Sequence, residues 1–115
     1  MAKVVFKTCK LFNETLLRHG VKVVKGLDEF RKMKEANPMA PYGSKDYPFK
    51  GKGPLYGYGH AGITHDISII YMMGGRDPHV FKLYGFFTHD ESGTGQPANI
   101  RKQQTLGKKL DGQTF

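Results

Sequence analysis

Asp66-Ile67-Ser68-Ile69-Ile70-Tyr71-Met72-Met73 is the stretch on which the fold of this chain turns. Ile67, Ile69, Tyr71 and Met73 alternate with Ser68, Ile70 and Met72, so both faces of an extended segment are mostly apolar. That pattern predicts a central strand packed on two sides. After it, Gly74-Gly75-Arg76-Asp77-Pro78 makes a turn, and Val80 to Phe87 pairs back as the next strand. Before it, Leu55 to Ile63 reads as a further strand, weakened by its glycines.

The N-terminal half has a different period. Val4 to Lys7 reads as an opening strand. From about Thr8 to His19 the pattern is helical, with Phe12, Leu16 and His19 on one face and Leu11 beside them, and Gly20 is a stop. A second helix is expected from near Leu27 to Asn37, with Leu27, Phe30 and Met33 on its apolar stripe and charged residues elsewhere; Asn37-Pro38 ends it. Residues 38–54, rich in Pro, Gly, Lys and Tyr, read as loop. Gly93-Thr94-Gly95-Gln96-Pro97 breaks the chain again. Asn99 then caps a last helix to about Leu110, with Ile100, Leu106 and Leu110 inward and Arg101, Lys102, Lys108 and Lys109 outward. Helices followed by strands indicate an α+β fold. Two N-terminal helices should pack on one face of a small, mainly antiparallel, curved sheet, leaving the other face partly open, with a short C-terminal helix.

The 115 residues suffice for one domain, 1–115, around one core. A lone cysteine, Cys9, excludes an internal disulfide framework and a Cys-based zinc site within the chain, which fits a reducing, cytoplasmic setting. No apolar run approaches the roughly 20 residues needed to cross a bilayer, so no membrane partner is expected. The formal charge of +8 favours an anionic partner. Nucleic acid ranks first, because Lys and Arg are interleaved with Tyr and Phe instead of being segregated as on a membrane-surface helix.

Four pieces in order carry a resemblance: Asp46-Tyr47-Pro48-Phe49-Lys50-Gly51, Gly57-Tyr58-Gly59-His60-Ala61, Asp66-Ile67-Ser68-Ile69-Ile70-Tyr71, and Thr88-His89. Together they resemble the RelE/ParE toxin superfamily, specifically the YafQ-type mRNA interferases. Tyr47 stands where those proteins carry a histidine, Gly59 near a frequent arginine, and Ile67 for a tryptophan. Two extra residues separate His60 from Asp66, and the last helix extends beyond the usual end of such a chain.

The resemblance implies a RelE-like fold and a type II toxin that cuts mRNA in the ribosomal A site, inhibiting translation, and is held inactive by an acidic antitoxin. It makes His89 the principal acid or base, with His60 and Asp66 as partners; His65 is a further candidate because the insertion blurs the alignment. Such cleavage needs neither a metal nor a small-molecule cofactor, because RNA supplies its own 2′-hydroxyl nucleophile. Lys50, Lys52 and Arg76 are the cations expected at phosphate, and Tyr47, Tyr56 or Tyr58 the rings expected to stack a base.

Plainer readings stand beside these. His60 also suits an edge-strand surface, His65-Asp66 suits turn chemistry, and His89-Asp90-Glu91-Ser92 suits a solvated loop. His19 suits a helix C-terminus, and His79 a strand start. His60, His65, Asp66 and His89 would bind zinc or manganese if they converged, though His65 and Asp66 are adjacent and on a strand would point to opposite faces. A non-catalytic protein of the same fold, either a ParE-like gyrase poison or an RNA-binding protein, is the alternative function.

Overall fold

The computed structural model describes residues 4–49, 53–76 and 78–115. Five strands form one mixed sheet in the order β1-β5-β4-β3-β2. β1 (Val4–Thr8) runs parallel to β5 (His79–Thr88); β2 (Tyr47–Pro48), β3 (Gly59–Gly62) and β4 (Ile67–Gly74) pair antiparallel in turn. The expected α+β architecture is present, and the Ile67–Met73 run is central, flanked by β3 and β5. Tyr84 is an extra residue between the pairs Tyr71–Leu83 and Ile70–Gly85, a bulge that adds twist to the sheet.

α1 (Lys10–His19) and α2 (Val21–Ala36) cover one face. Phe12 of α1 meets Phe86 at 5.3 Å between ring centroids, and Phe30 of α2 meets Tyr71 at 5.4 Å and Phe81 at 6.4 Å. α2 starts at Val21, six residues before the expected Leu27, because Gly20 at φ 56° reverses the chain within one residue. Val21 and Val24, both exposed, blur the apolar stripe over its first turn. The buried stripe is Val23, Gly26, Leu27, Phe30 and Lys34, so the exposed Met33 is replaced on it by a lysine.

The loop expected over residues 38–54 contains β2, and the strand expected over Leu55–Ile63 shortens to Gly59–Gly62, with residues 54–57 in a turn. A helix not foreseen, α3 (His89–Ser92), follows β5 directly. The Thr88 hydroxyl accepts from the Glu91 N–H, and the Glu91 carboxylate accepts from the Thr88 N–H, a complete capping box. Gly93, at φ 76°, ends that helix; a Cβ there would stand 2.4 Å from the Asn99 carbonyl oxygen. α4 (Ile100–Asp111) is capped by Asn99 as expected. Leu106, Gly107 and Leu110 are its buried residues, whereas Ile100, expected inward, is 54% exposed.

A candidate acid–base cleft

His60 lies on β3 between Gly59 and Ala61, and alternation sends its side chain away from theirs. A Cβ on Gly59 would face the Tyr71 ring, which packs on α2, so His60 belongs to the opposite face of the sheet. There Tyr47, Phe49, His60, Ser68, Ile70, Phe87, His89, Ser92 and Thr94 enclose a cleft of about 240 Å³. Strand register builds its floor: Tyr47 pairs with His60, His60 with Ile70, and Ser68 with Phe87. The end of β5 and the cap of α3 deliver His89 from the other side.

The His60 ring is held by aromatics. Tyr47 stands edge-on to it at 4.5 Å and 73°, and Phe49 stacks at 4.4 Å and 29°. Burial lowers the His60 pKa below the ordinary 6.5; the Asp46 carboxylate opposes that shift and His89 adds to it. A half-buried imidazole so placed is neutral near pH 7 and able to accept a proton. His89 also borders a second hollow of about 510 Å³, shared with Asp66, Asp90, Gln96 and Asn99. His89 thus stands between His60 on one side and Asp66 on the other.

The remaining sequence candidates divide. His65 and Asp66 are exposed in the β3–β4 turn, where the Thr64 hydroxyl accepts from the Asp66 and Ile67 N–H groups. The four candidates therefore do not form one cluster, and among the described residues no three His, Cys, Asp or Glu side chains are placed to hold a metal ion. Tyr58, expected to stack a base, is instead 5% exposed: its ring meets Tyr84 at 5.0 Å and its hydroxyl donates to Asp111 of α4. Arg76 sits at the tip of the β4–β5 hairpin, the end of the sheet remote from His89. Tyr47 does border the cleft and Tyr56 is exposed. Lys50 and Lys52 lie outside the described residues.

Among the described residues no lysine or arginine lines the 240 Å³ cleft. Cations line the adjoining groove of about 440 Å³ along α4, where Arg18, Arg101, Lys102 and Lys109 surround Leu11, Leu106 and Phe87. Phe87 is shared by groove and cleft. Sequence reasoning missed Phe49, Ser68, Ser92 and Thr94. Ser68, a single hydroxyl in an apolar run, and the Thr88-x-x-Glu91 capping signature were the signals available.

No family model matches the chain, and no curated protein does. Solved structures do. YafQ from E. coli strain BL21(DE3) superposes with a TM-score of 0.58 at 13% identity, over 78% of this chain and 96% of that one. A YoeB/ParE toxin from Agrobacterium tumefaciens gives 0.55 at 21%, over 76% and 98%. YoeB in its complex with YefM from Staphylococcus aureus gives 0.53 at 20%, over 77% and 98%. This chain has the YoeB/YafQ toxin fold. It exceeds that fold in length, since nearly the whole of each neighbour maps onto about three quarters of it.

Proposed function

We propose that this protein is the toxin of a type II toxin–antitoxin pair: a single-domain, cytoplasmic endoribonuclease that cuts mRNA in the ribosomal A site. The observation that carries the reading is the pairing of His60 and His89 across one cleft, on a fold otherwise found in YoeB and YafQ toxins.

His60, kept neutral by its surroundings, takes the proton from the ribose 2′-hydroxyl as that oxygen attacks phosphorus. The bond from phosphorus to the 5′-oxygen breaks, and His89 as imidazolium returns a proton to that oxygen. The products are a 2′,3′-cyclic phosphate and a 5′-hydroxyl, so protons and charge balance without a further reactant. Asp66, across the hollow from His89, serves to orient that imidazole. Tyr47 and Phe49 offer ring faces to an unpaired base. Arg101, Lys102 and Lys109 provide the positive groove along which a phosphate backbone reaches Phe87. An acidic antitoxin is the expected inhibitor; YoeB and YafQ are each known in complex with a partner, YefM and DinJ.

The test is inducible expression of the wild type and of His89→Ala, with mRNA 5′ ends mapped after induction. Growth arrest and codon-phased cuts from the wild type alone are expected. Equal arrest from both proteins overturns the catalytic assignment. DNA damage without mRNA cuts would mark a gyrase poison of the same fold.

A further inference from the structure

Behind the cleft, on the helix-covered face, lies a buried polar cluster that the proposed reaction does not touch. The Lys34 ammonium donates to Asp46 Oδ2 at 2.6 Å and to the Ala40 carbonyl at 2.7 Å. The same Oδ2 accepts from the Tyr42 N–H at 2.7 Å, and Oδ1 accepts from the Tyr71 hydroxyl. The side chains of Lys34 and Asp46 are 4% and 2% exposed. Lys34 also lies over the rings of Phe30, Tyr71 and Phe81, at 5.5, 5.7 and 5.8 Å.

Removing two opposite charges from water is offset only when every remaining lone pair and proton is satisfied, and an apolar replacement is often no less stable. The pair therefore calls for a role beyond stability. Its position supplies one. Asp46 immediately precedes Tyr47, the register partner and ring neighbour of His60. Tyr71 reaches Asp46 by passing over Gly59, where a Cβ would stand 3.0 Å from the Tyr71 Cζ. That close approach explains a glycine inside β3, at the position next to His60.

We infer that Lys34, Asp46 and Tyr71 form a clamp that sets β2 against β3 and so fixes the His60 ring for proton transfer, making Asp46 and Tyr71 positioning residues of the cleft. The inference rests on the His60 role proposed above. It assigns those residues no contact with substrate. Charged and titratable groups face His60 from three sides: Asp46 from the segment before β2, with Lys34 of α2 behind it; Tyr47 of β2; and His89 of α3.

Two variants that spare the core test it: Tyr71→Phe, which keeps the ring, and Lys34→Met/Asp46→Asn, which strands neither charge. The His60 imidazole is followed by NMR as a function of pH, so the readout needs no cleavage activity. In both folded variants the His60 ring signals should move. In the double variant the titration should also shift to lower pH, because a carboxylate favouring imidazolium is gone. In ribosome-supplied cleavage, kcat should fall roughly tenfold with KM held within about twofold, as expected when geometry and not affinity is lost. Unchanged His60 signals and titration in both folded variants overturn the clamp. If His60→Ala cuts mRNA as the wild type does, the base assignment fails, while the NMR result still decides the clamp.

Discussion

Thr88 and Glu91 close a reciprocal pair of hydrogen bonds around the first turn of α3, at 2.9 and 3.1 Å, with His89 enclosed between them. The same carboxylate accepts from Arg18 at 2.6 Å and lies 3.3 Å from His19 Nε2. One side chain thus ties the end of α1 to the residue proposed as the acid. Thr88→Ala should cost about 1 kcal/mol in stability, the usual value of an N-cap. It should lower kcat about tenfold through misplacement of His89 while KM changes little. Denaturant titration and single-turnover cleavage read the two effects separately.

The Glu91 carboxyl carries a pH signature. Burial pushes its pKa up, but hydrogen bonds from Thr88 and Arg18 and the neighbouring His19 outweigh that and hold it below the ordinary 4.5. A carboxylate depressed in the folded state contributes stability that is present above its unfolded pKa and is lost as pH falls through the folded one. Thermal unfolding of wild type and Glu91→Gln should therefore differ at neutral pH and converge on acidification below 4.5. A constant difference across that range would contradict the assignment.

His60 behaves in the opposite sense. Its folded pKa lies below 6.5, first because of burial, so the folded state resists the proton that the unfolded chain accepts. As pH falls through 6.5 the unfolded chain protonates first, and stability declines until the folded pKa is passed. A base of this kind leaves an acid limb in kcat/KM with its midpoint below 6.5. His60→Ala should abolish that limb along with roughly 10² to 10⁴ of the rate, the usual worth of a positioned acid or base. The pH–rate profile of cleavage is the measurement.

Lys34→Met alone leaves the Asp46 carboxylate buried with neutral donors only. Breaking such a pair from one side costs about 3–5 kcal/mol, and adding Asp46→Asn should restore much of it. Equilibrium unfolding of the single and double variants forms the cycle.

Tyr58→Phe separates core from substrate surface. The Tyr58 hydroxyl donates to Asp111, and burial with that carboxylate drives its pKa well up, so the phenol stays protonated. Loss of the bond should cost about 1.5–3 kcal/mol, as for hydrogen bonds to charged groups. Cleavage and RNA affinity should stay at wild-type values here and also in a folded Tyr58→Leu variant, whose loss of the ring would lower both if Tyr58 stacked a base.

What local pattern can determine, this chain displays in its primary order. Alternation over Ile67–Met73 marked a strand buried on both faces, Asn99 marked the start of α4, and the ordered motifs between Asp46 and His89 marked a RelE-like toxin fold. His60 and His89 were legible as candidates because their residue type suits proton transfer. Their meeting was decided by long-range pairing: β3 and β5 lie on either side of β4, and the capping box turns the chain at Thr88 so that His89 faces His60. The same pairing left His65 and Arg76 in turns and drew Tyr58 into the core. The Lys34–Asp46 pair was the least legible feature. A lysine on an apolar stripe and an aspartate in a loop each look solvated, and only the packing of α2 against β4 and the segment before β2 removes the water that would otherwise hold them.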